Sequence, residues 1–371
     1  MQIRPFQAAY PDMRRISSAD HFFSTIKEKF GEYWQEGFYH QLPGEGVFVC
    51  TVDRPANTHT GLVVCVDIRE YLEGNIRRHE KTLPKKEIGR LDQLRDWAAQ
   101  VKPVTLTYRP VKEIDQLLQQ CKAGREPLLE VYFAEKNETH RFWNIHDQAI
   151  MDRLQRLFAR HVPTAYISDG HHRTASNATM FERLGKNDPV NPFQWLPCVL
   201  FSTDEVDIYD FNRIVEGLGD FTPSSFLEKL TDYFEVSELD EPRKPRQKHE
   251  LTLFLSEKCY SLKWYPHIVQ IAGNQIVALD VDLLNDHVLN GLLGIADVRN
   301  TDRLKYFQQL KNIPNLTTKT LAGEERFAFC MYPVTIEDFL KISDTDGSLP
   351  PKSTWFEPRV RSGLLVRRFE L

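Results

Sequence analysis

Asp169-Gly170-His171-His172-Arg173 sets an acid, a glycine, two proton carriers and a permanent cation in five consecutive positions. The five follow an apolar run (Ala165, Tyr166, Ile167) and precede a segment rich in small residues and helix formers that stops at Gly185. This pattern predicts strand, tight turn and helix over residues 164–184. The first N–H groups of a helix have no internal partner, and the aligned peptide dipoles place positive charge there, so such a turn suits an anion. Gly170 lets the main chain take conformations closed to other residues and approach a ligand. His171, His172 and Arg173 add donors where a phosphate or carboxylate would sit. Asp169 would repel a bare anion; it makes sense if it holds a metal ion such as Mg²⁺ or orients a histidine. Asp-Gly is also an ordinary turn, and His-His-Arg an ordinary solvated helix start.

A second concentration of chemistry is YLEGNIRRHEKT, residues 71–82. It offers Glu73, Asn75, Arg77, Arg78, His79, Glu80 and Lys81. A carboxylate there can take a proton while the cations hold a charged substrate. The alternative is a solvated loop whose opposite charges pair weakly. PPKST, residues 350–354, is the third: Lys352, Ser353 and Thr354 could reach a phosphate, or the stretch is a plain proline turn. Neither a Walker A loop nor a GxGxxG fingerprint is present, so the usual nucleotide folds are not supported.

The elements that must position these residues mix irregularly. Helices are expected over 19–30, 84–98, 111–121, 146–161, 223–234, 282–293 and 335–342. Strands are expected over 104–108, 195–201, 206–215, 250–255, 260–265, 325–332 and 364–369. The runs 47–52 and 61–68, and 128–134 and 139–145, read as hairpins, and the first forty residues lack clear strands. Hairpins among helices point to α/β with a mixed sheet rather than a doubly wound parallel one. The Gly-rich stretch 216–220 divides the 371 residues into 1–215 and 216–371.

A formal net charge of −5 argues against a general nucleic-acid or anionic-membrane binder. No apolar run approaches the roughly 20 residues of a membrane span. Six dispersed cysteines, with no Cys-x-x-Cys pair, read as reduced core residues of a cytoplasmic protein.

Several longer motifs carry a family resemblance. They are YLEGNIRRHEKT, VTLTY (104–108), YISDGHHRTASNA (166–178), DFNRIV (210–215), LLGIADVRNTDRL (292–304), FCMYPVTIEDFL (329–340) and PPKSTWFEPRVRSGL (350–364). On these the chain is identified as a member of domain-of-unknown-function family 1015, over most of its length. Two stretches depart from the family: residues 8–18 lack its usual N-terminal segment, and RDWAAQVKP (95–103) replaces a small-residue and glycine pattern. The DGHHR turn is also similar to the signature of free serine kinases of the ParB/sulfiredoxin-like superfamily. That resemblance implies a ParB/sulfiredoxin-like core with hairpin insertions and a C-terminal α+β region.

It further implies that Asp169–Arg173 holds nucleotide phosphates (ADP or ATP) and that an upstream glutamate is the base, Glu80 first and Glu73 second. The expected activity is phosphoryl transfer on a small hydroxylated metabolite, with serine/phosphoserine the leading pair. His172 is a further catalytic candidate. Asn75, Arg78, His79 and Lys81 would hold substrate, Lys352, Ser353 and Thr354 would reach the phosphate, and Mg²⁺ would bridge oxygens with Asp169. A phosphoserine phosphatase, a nucleotide-binding regulator without turnover and a metal hydrolase built on His79, His171 and His172 are the alternatives.

Overall fold

The computed structural model describes residues 1–80, 97–186, 188, 190–271, 276–308, 326–345 and 347–369. Lys81 and nearly all of the helix expected over 84–98 lie outside these. The chain folds as two units, Met1–Asp207 with Pro358–Leu371, and Ile208–Glu357. The expected division after residue 215 would cut away Phe211–Glu216, an interior strand of the second unit's sheet. The segment that rejoins the first unit is Pro358–Leu371; the PPKST loop belongs to the second.

Unit 1 is built on a nine-stranded sheet. Its order is Ile76–Arg77, Ala165–Asp169, Val104–Tyr108, Trp195–Ser202, Thr58–Asp67, Val47–Asp53, Glu138–Ile145 and Leu129–Phe133, with Ile3–Arg4 also paired to Thr58–Asp67. Ala165–Asp169 runs parallel to Ile76–Arg77, and Trp195–Ser202 parallel to Val104–Tyr108; the other pairings are antiparallel. This is the mixed α/β class expected. Every residue of Val104–Tyr108 is buried, as are nearly all of Thr58–Asp67 and Trp195–Ser202, so these strands are covered on both faces. Helix Lys112–Lys122 packs Ile114, Leu117, Leu118 and Cys121 into this core. Helix Gln148–His161, capped by Asp147 accepting from the Ile150 N–H, packs Met151, Leu154 and Phe158 there.

Strands do occur in the first forty residues. Ala8–Pro11 pairs with Tyr39–Gln41 and with Val366–Arg368, which in turn pairs with Ala99–Gln100. The sheet thus joins both ends of the chain.

Unit 2 carries a six-stranded, wholly antiparallel sheet in the order Phe234–Glu238, Lys258–Trp264, Glu250–Leu255, Arg326–Cys330, Phe211–Glu216, Leu304–Gln308. Helix Pro223–Leu230 starts on a Thr222–Ser225 capping box and ends earlier than its sequence suggests, because Phe234 already opens an edge strand. Helix Asp280–Leu283 continues as a π-helical turn, Leu284–Asn290. All six cysteines are free and buried. Among the described residues no helix is long and apolar enough to cross a membrane.

Candidate active site

Strand Ala165–Asp169 and helix His171–Leu184 form as the pattern predicts. The strand bulges at its end: Ile167 faces Leu106 but Asp169 faces Thr105, so Ser168 is the extra residue. A bulge re-aims the side chain that follows it, here Asp169. Gly170 then turns the chain with φ +116°, and a Cβ on it would meet the Arg173 Nη2 at 2.7 Å. The positive φ requires glycine, and a side chain there would also displace the Arg173 guanidinium. No side chain caps the helix it opens, so the first-turn N–H groups are not taken by a capping side chain.

Three cations converge on Asp169. Lys102 Nζ and Arg173 Nη2 donate to its Oδ2 at 2.9 and 2.6 Å, and Arg359 Nη1 lies 3.8 Å from Oδ1. Burial by itself would raise the Asp169 pKa; the fields of Arg173, Lys102 and Arg359 outweigh it and hold the carboxyl well below the usual range. Lys102 is pushed down to about 8, first by burial and then by Arg173. Arg173 keeps donors in reserve, since its buried Nε has no hydrogen-bond partner among the described residues. The Ser168 hydroxyl is buried and unpartnered in the same sense.

The carboxylate therefore orders cations. With three of them around it, Asp169 does not fit a resident Mg²⁺ site, and among the described residues no three His, Cys, Asp or Glu side chains cluster to hold a metal.

The loop 71–80 reaches this turn through its end. His171 Nδ1 lies 3.8 Å from Glu80 Oε2, and the His79 N–H points at His171 Nε2 at 3.5 Å. The His79 and His171 rings meet edge to face, centroids 4.5 Å apart. With Nε2 accepting, the His171 proton belongs on Nδ1, facing Glu80. Burial, countered in part by Asp169 and reinforced by His172, Arg173 and Arg78, pushes His171 down to about 4. His79 is also held well below its ordinary value, by burial and then by His171. Both rings are neutral at pH 7, whereas the Glu80 side chain is 46 % exposed.

The other candidates in this loop separate. Asn75 donates to Glu70 Oε2 at 2.8 Å, and Glu70 also accepts from the Gln2 N–H, so Asn75 braces the fold. Glu73 is exposed at the C-cap of the short helix Arg69–Leu72. Arg78 is exposed, and His172 sits half-buried in the first helical turn. Lys352, Ser353 and Thr354 belong to unit 2, where the Lys352 ammonium stands 5.3 Å over the Phe211 ring and Ser353 Oγ donates to Pro350 O.

Lys102 and Arg359 were not singled out from the sequence. Each is a lone cation far from DGHHR. Their signal lay in segments noted for other reasons, the divergent RDWAAQVKP and the end of PPKSTWFEPRVRSGL. Beside the cluster, Lys102 and Arg173 join Lys27, Gln100, Ser176 and Ser362 in lining a cleft of about 170 Å³ whose apolar walls include Trp97, Val104, Leu196 and Pro197.

The family model described as "Protein of unknown function (DUF1015)" matches residues 8–282, and the chain belongs to that family. No curated protein matches the sequence. Among solved structures the chain is similar to a free serine kinase in complex with AMP, at 15% identity and TM-score 0.40, with 81% of this chain and 92% of that one covered. It is also similar to a conserved hypothetical protein from Pyrococcus furiosus, at 14% identity and TM-score 0.37, covering 82% and 95%. A third is SbnI with a C-terminal truncation from Staphylococcus aureus, at 10% identity and TM-score 0.41, covering 82% and 87%.

Proposed function

We propose that unit 1 binds a nucleotide through its phosphates and transfers a phosphoryl group to or from the hydroxyl of a small metabolite, serine and phosphoserine being the leading pair. The observation that carries this reading is the meeting of Lys102, Arg173 and Arg359 around Asp169 beside an uncapped helix start. Phosphoryl transfer asks the protein chiefly for fixed positive groups around the equatorial oxygens. Cations already oriented by a buried carboxylate need not reorganise when that charge develops. The 170 Å³ cleft next to them suits an aromatic ring, since an apolar cavity of about 150 Å³ accepts benzene. In this reading it takes the base.

Glu80 is the proposed base. Its exposed carboxylate stands beside the helix start, and the neutral His171 offers its Nδ1 proton toward it. The substrate hydroxyl attacks phosphorus, its proton passes to Glu80, and the bond to the nucleotide's bridging oxygen breaks. Glu73, at an exposed helix cap, has no such setting.

The test is a panel of magnesium nucleotides against serine, threonine, homoserine and phosphoserine, run in both directions and with water as acceptor, read by phosphorus NMR. The expected result is a phosphate-ester resonance that grows or decays through many turnovers. Nucleotide binding with no turnover by any pair would reduce the site to a regulatory one.

A further inference from the structure

The returning segment Pro358–Leu371 brings a second arginine besides Arg359, which stands 3.8 Å from Asp169 Oδ1. Two residues further on, Arg361 Nε donates to Glu138 Oε1 at 3.2 Å, and its guanidinium lies 4.7 Å from the Phe133 ring centroid. Glu138 opens the strand Glu138–Ile145 and is only 1 % exposed. Its Oε2 accepts from Arg54 Nη2 at 3.0 Å, and His140 Nε2 lies 3.3 Å from Oε1. The segment is thus pinned to a carboxylate that is itself buried and held from two other sides.

Apolar burial alone does not account for such an anchor. Val360, Leu364 and Leu365 are buried and already hold the segment to unit 1. That force is non-directional and fixes no register, whereas a guanidinium–carboxylate contact has a definite geometry. A buried ion pair is weak as a source of stability, and setting a register is its best-attested use. Beyond Arg361, Gly363 turns the chain with φ +85°, its N–H donating to Val101 O at 2.7 Å. Its carbonyl accepts from the Tyr39 hydroxyl at 2.9 Å. Val101 immediately precedes Lys102, another of the cations on Asp169. The anchors at 361 and 363 therefore fix the chain beside Arg359 and tie it to the neighbour of Lys102.

We propose that Arg361, held by Glu138, is a positioning residue that sets where Arg359 stands beside Asp169 and Lys102. It acts through Arg359 and not on the anion. With the anchor broken, Lys102 and Arg173 keep their hold on Asp169, while Arg359 is no longer fixed in place. The consequence for anion binding rests on the phosphate-binding reading of unit 1; the placement of Arg359 does not.

Lys102 reports that placement without any ligand. It faces Asp169, Arg173 and Arg359, and it is pushed down to about 8 by burial first, then by Arg173, with Arg359 adding to the effect. Carbon-13 NMR of protein labelled at lysine Cε follows its ionisation, the Lys102 signal being assigned by its loss in Lys102→Met. Arg359→Met should move the midpoint upward. Arg361→Met should also move it upward, and the double variant should move it no further than Arg359→Met alone. Sulfate affinity of the same variants should fall about fivefold, the loss of one cation at contact distance under water-like screening. An unmoved Lys102 in Arg361→Met would overturn the proposal, and so would a shift that adds to that of Arg359→Met. The expected lysine shifts in a protein that binds no sulfate would support the positioning role and sink the phosphate reading instead. Arg361→Met leaves Glu138 its Arg54 and His140 partners, so it should fold. If it does not, Arg361→Gln, which still offers Glu138 an N–H, takes its place and the same outcomes decide.

Discussion

Asp169 in unit 1 and Arg213 in unit 2 are both charged side chains folded into a sheet-borne recess, and they are treated in opposite ways. Asp169 is ringed by Lys102, Arg173 and Arg359. Arg213 has one backbone carbonyl and an aromatic ring, with two donors left over. The difference lies in what each charge is for. In the proposed reading, a carboxylate surrounded by cations is a scaffold that fixes their positions and leaves donors such as Arg173 Nε to an anion. Arg213 keeps two donors with no hydrogen-bond partner among the described residues, and Asp282 acts on it only through its field. A charged residue in a recess thus says little until its partners are counted.

The largest expected effect breaks the reading of unit 1 at its proton acceptor. Glu80→Gln should lower turnover by about 10²–10⁴-fold while nucleotide affinity stays within a few-fold, because the amide keeps the shape but takes no proton. Single-turnover rates and a binding titration on one preparation measure both. If Glu80→Gln is active and Glu73→Gln is dead, the base is Glu73; if both are active, loop 71–80 supplies none.

The comparison itself is sharpened by neutralising each charge in turn. Asp169→Asn should destabilise the chain by about 3 kcal/mol, at the low end for a broken buried pair because a fifth of the side chain reaches solvent. Arg213→Met should cost less than Asp169→Asn, since it removes a buried charge that Asp282 offsets only through its field. Denaturant midpoints check both, and equal losses would erase the distinction drawn between the two residues.

A smaller effect follows from Lys102. Its pKa is pushed down to about 8 by burial and by Arg173, so it is cationic at pH 7 and loses its proton as pH rises through 8. Sulfate does not titrate in this range, so its affinity should hold between pH 6 and 7 and fall above 8. The fall should be absent in Lys102→Met. An unchanged fall in that variant would assign the titration to another group.

Much of the unit 1 site was legible because it is local. The apolar run, the Asp-Gly break and the stop at Gly185 lie within about twenty consecutive residues, and the strand, turn and helix formed where the pattern put them. The link between Glu80 and His171 could be guessed but not located, since it depends on strand Ile76–Arg77 pairing with Ala165–Asp169. Lys102 and Arg359 were not legible as partners of Asp169. One stands 67 residues before it and the other arrives with the returning C-terminal segment. The strands of the first forty residues escaped for the same reason: Ala8–Pro11 is stabilised by Val366–Arg368, from the far end of the sequence. The sequence of PPKST suggests a phosphate contact, while its described partners are the Phe211 ring and the Pro350 carbonyl of unit 2.

The central claim is that Asp169 orders its cations for an anion and not for the fold alone, and Arg173→Ala tests it most directly. Calorimetric titration with ADP and with sulfate, alongside thermal unfolding of the same sample, separates the two roles. Losing a charged hydrogen bond of about 1.5–3 kcal/mol should weaken both ligands roughly 10- to 150-fold. Lys102 and Arg359 still neutralise Asp169 in that variant, so the melting point should move by only a few degrees. A melting point lowered by many degrees, with ADP and sulfate affinity unchanged, would make Arg173 a structural ion-pair partner and contradict the account.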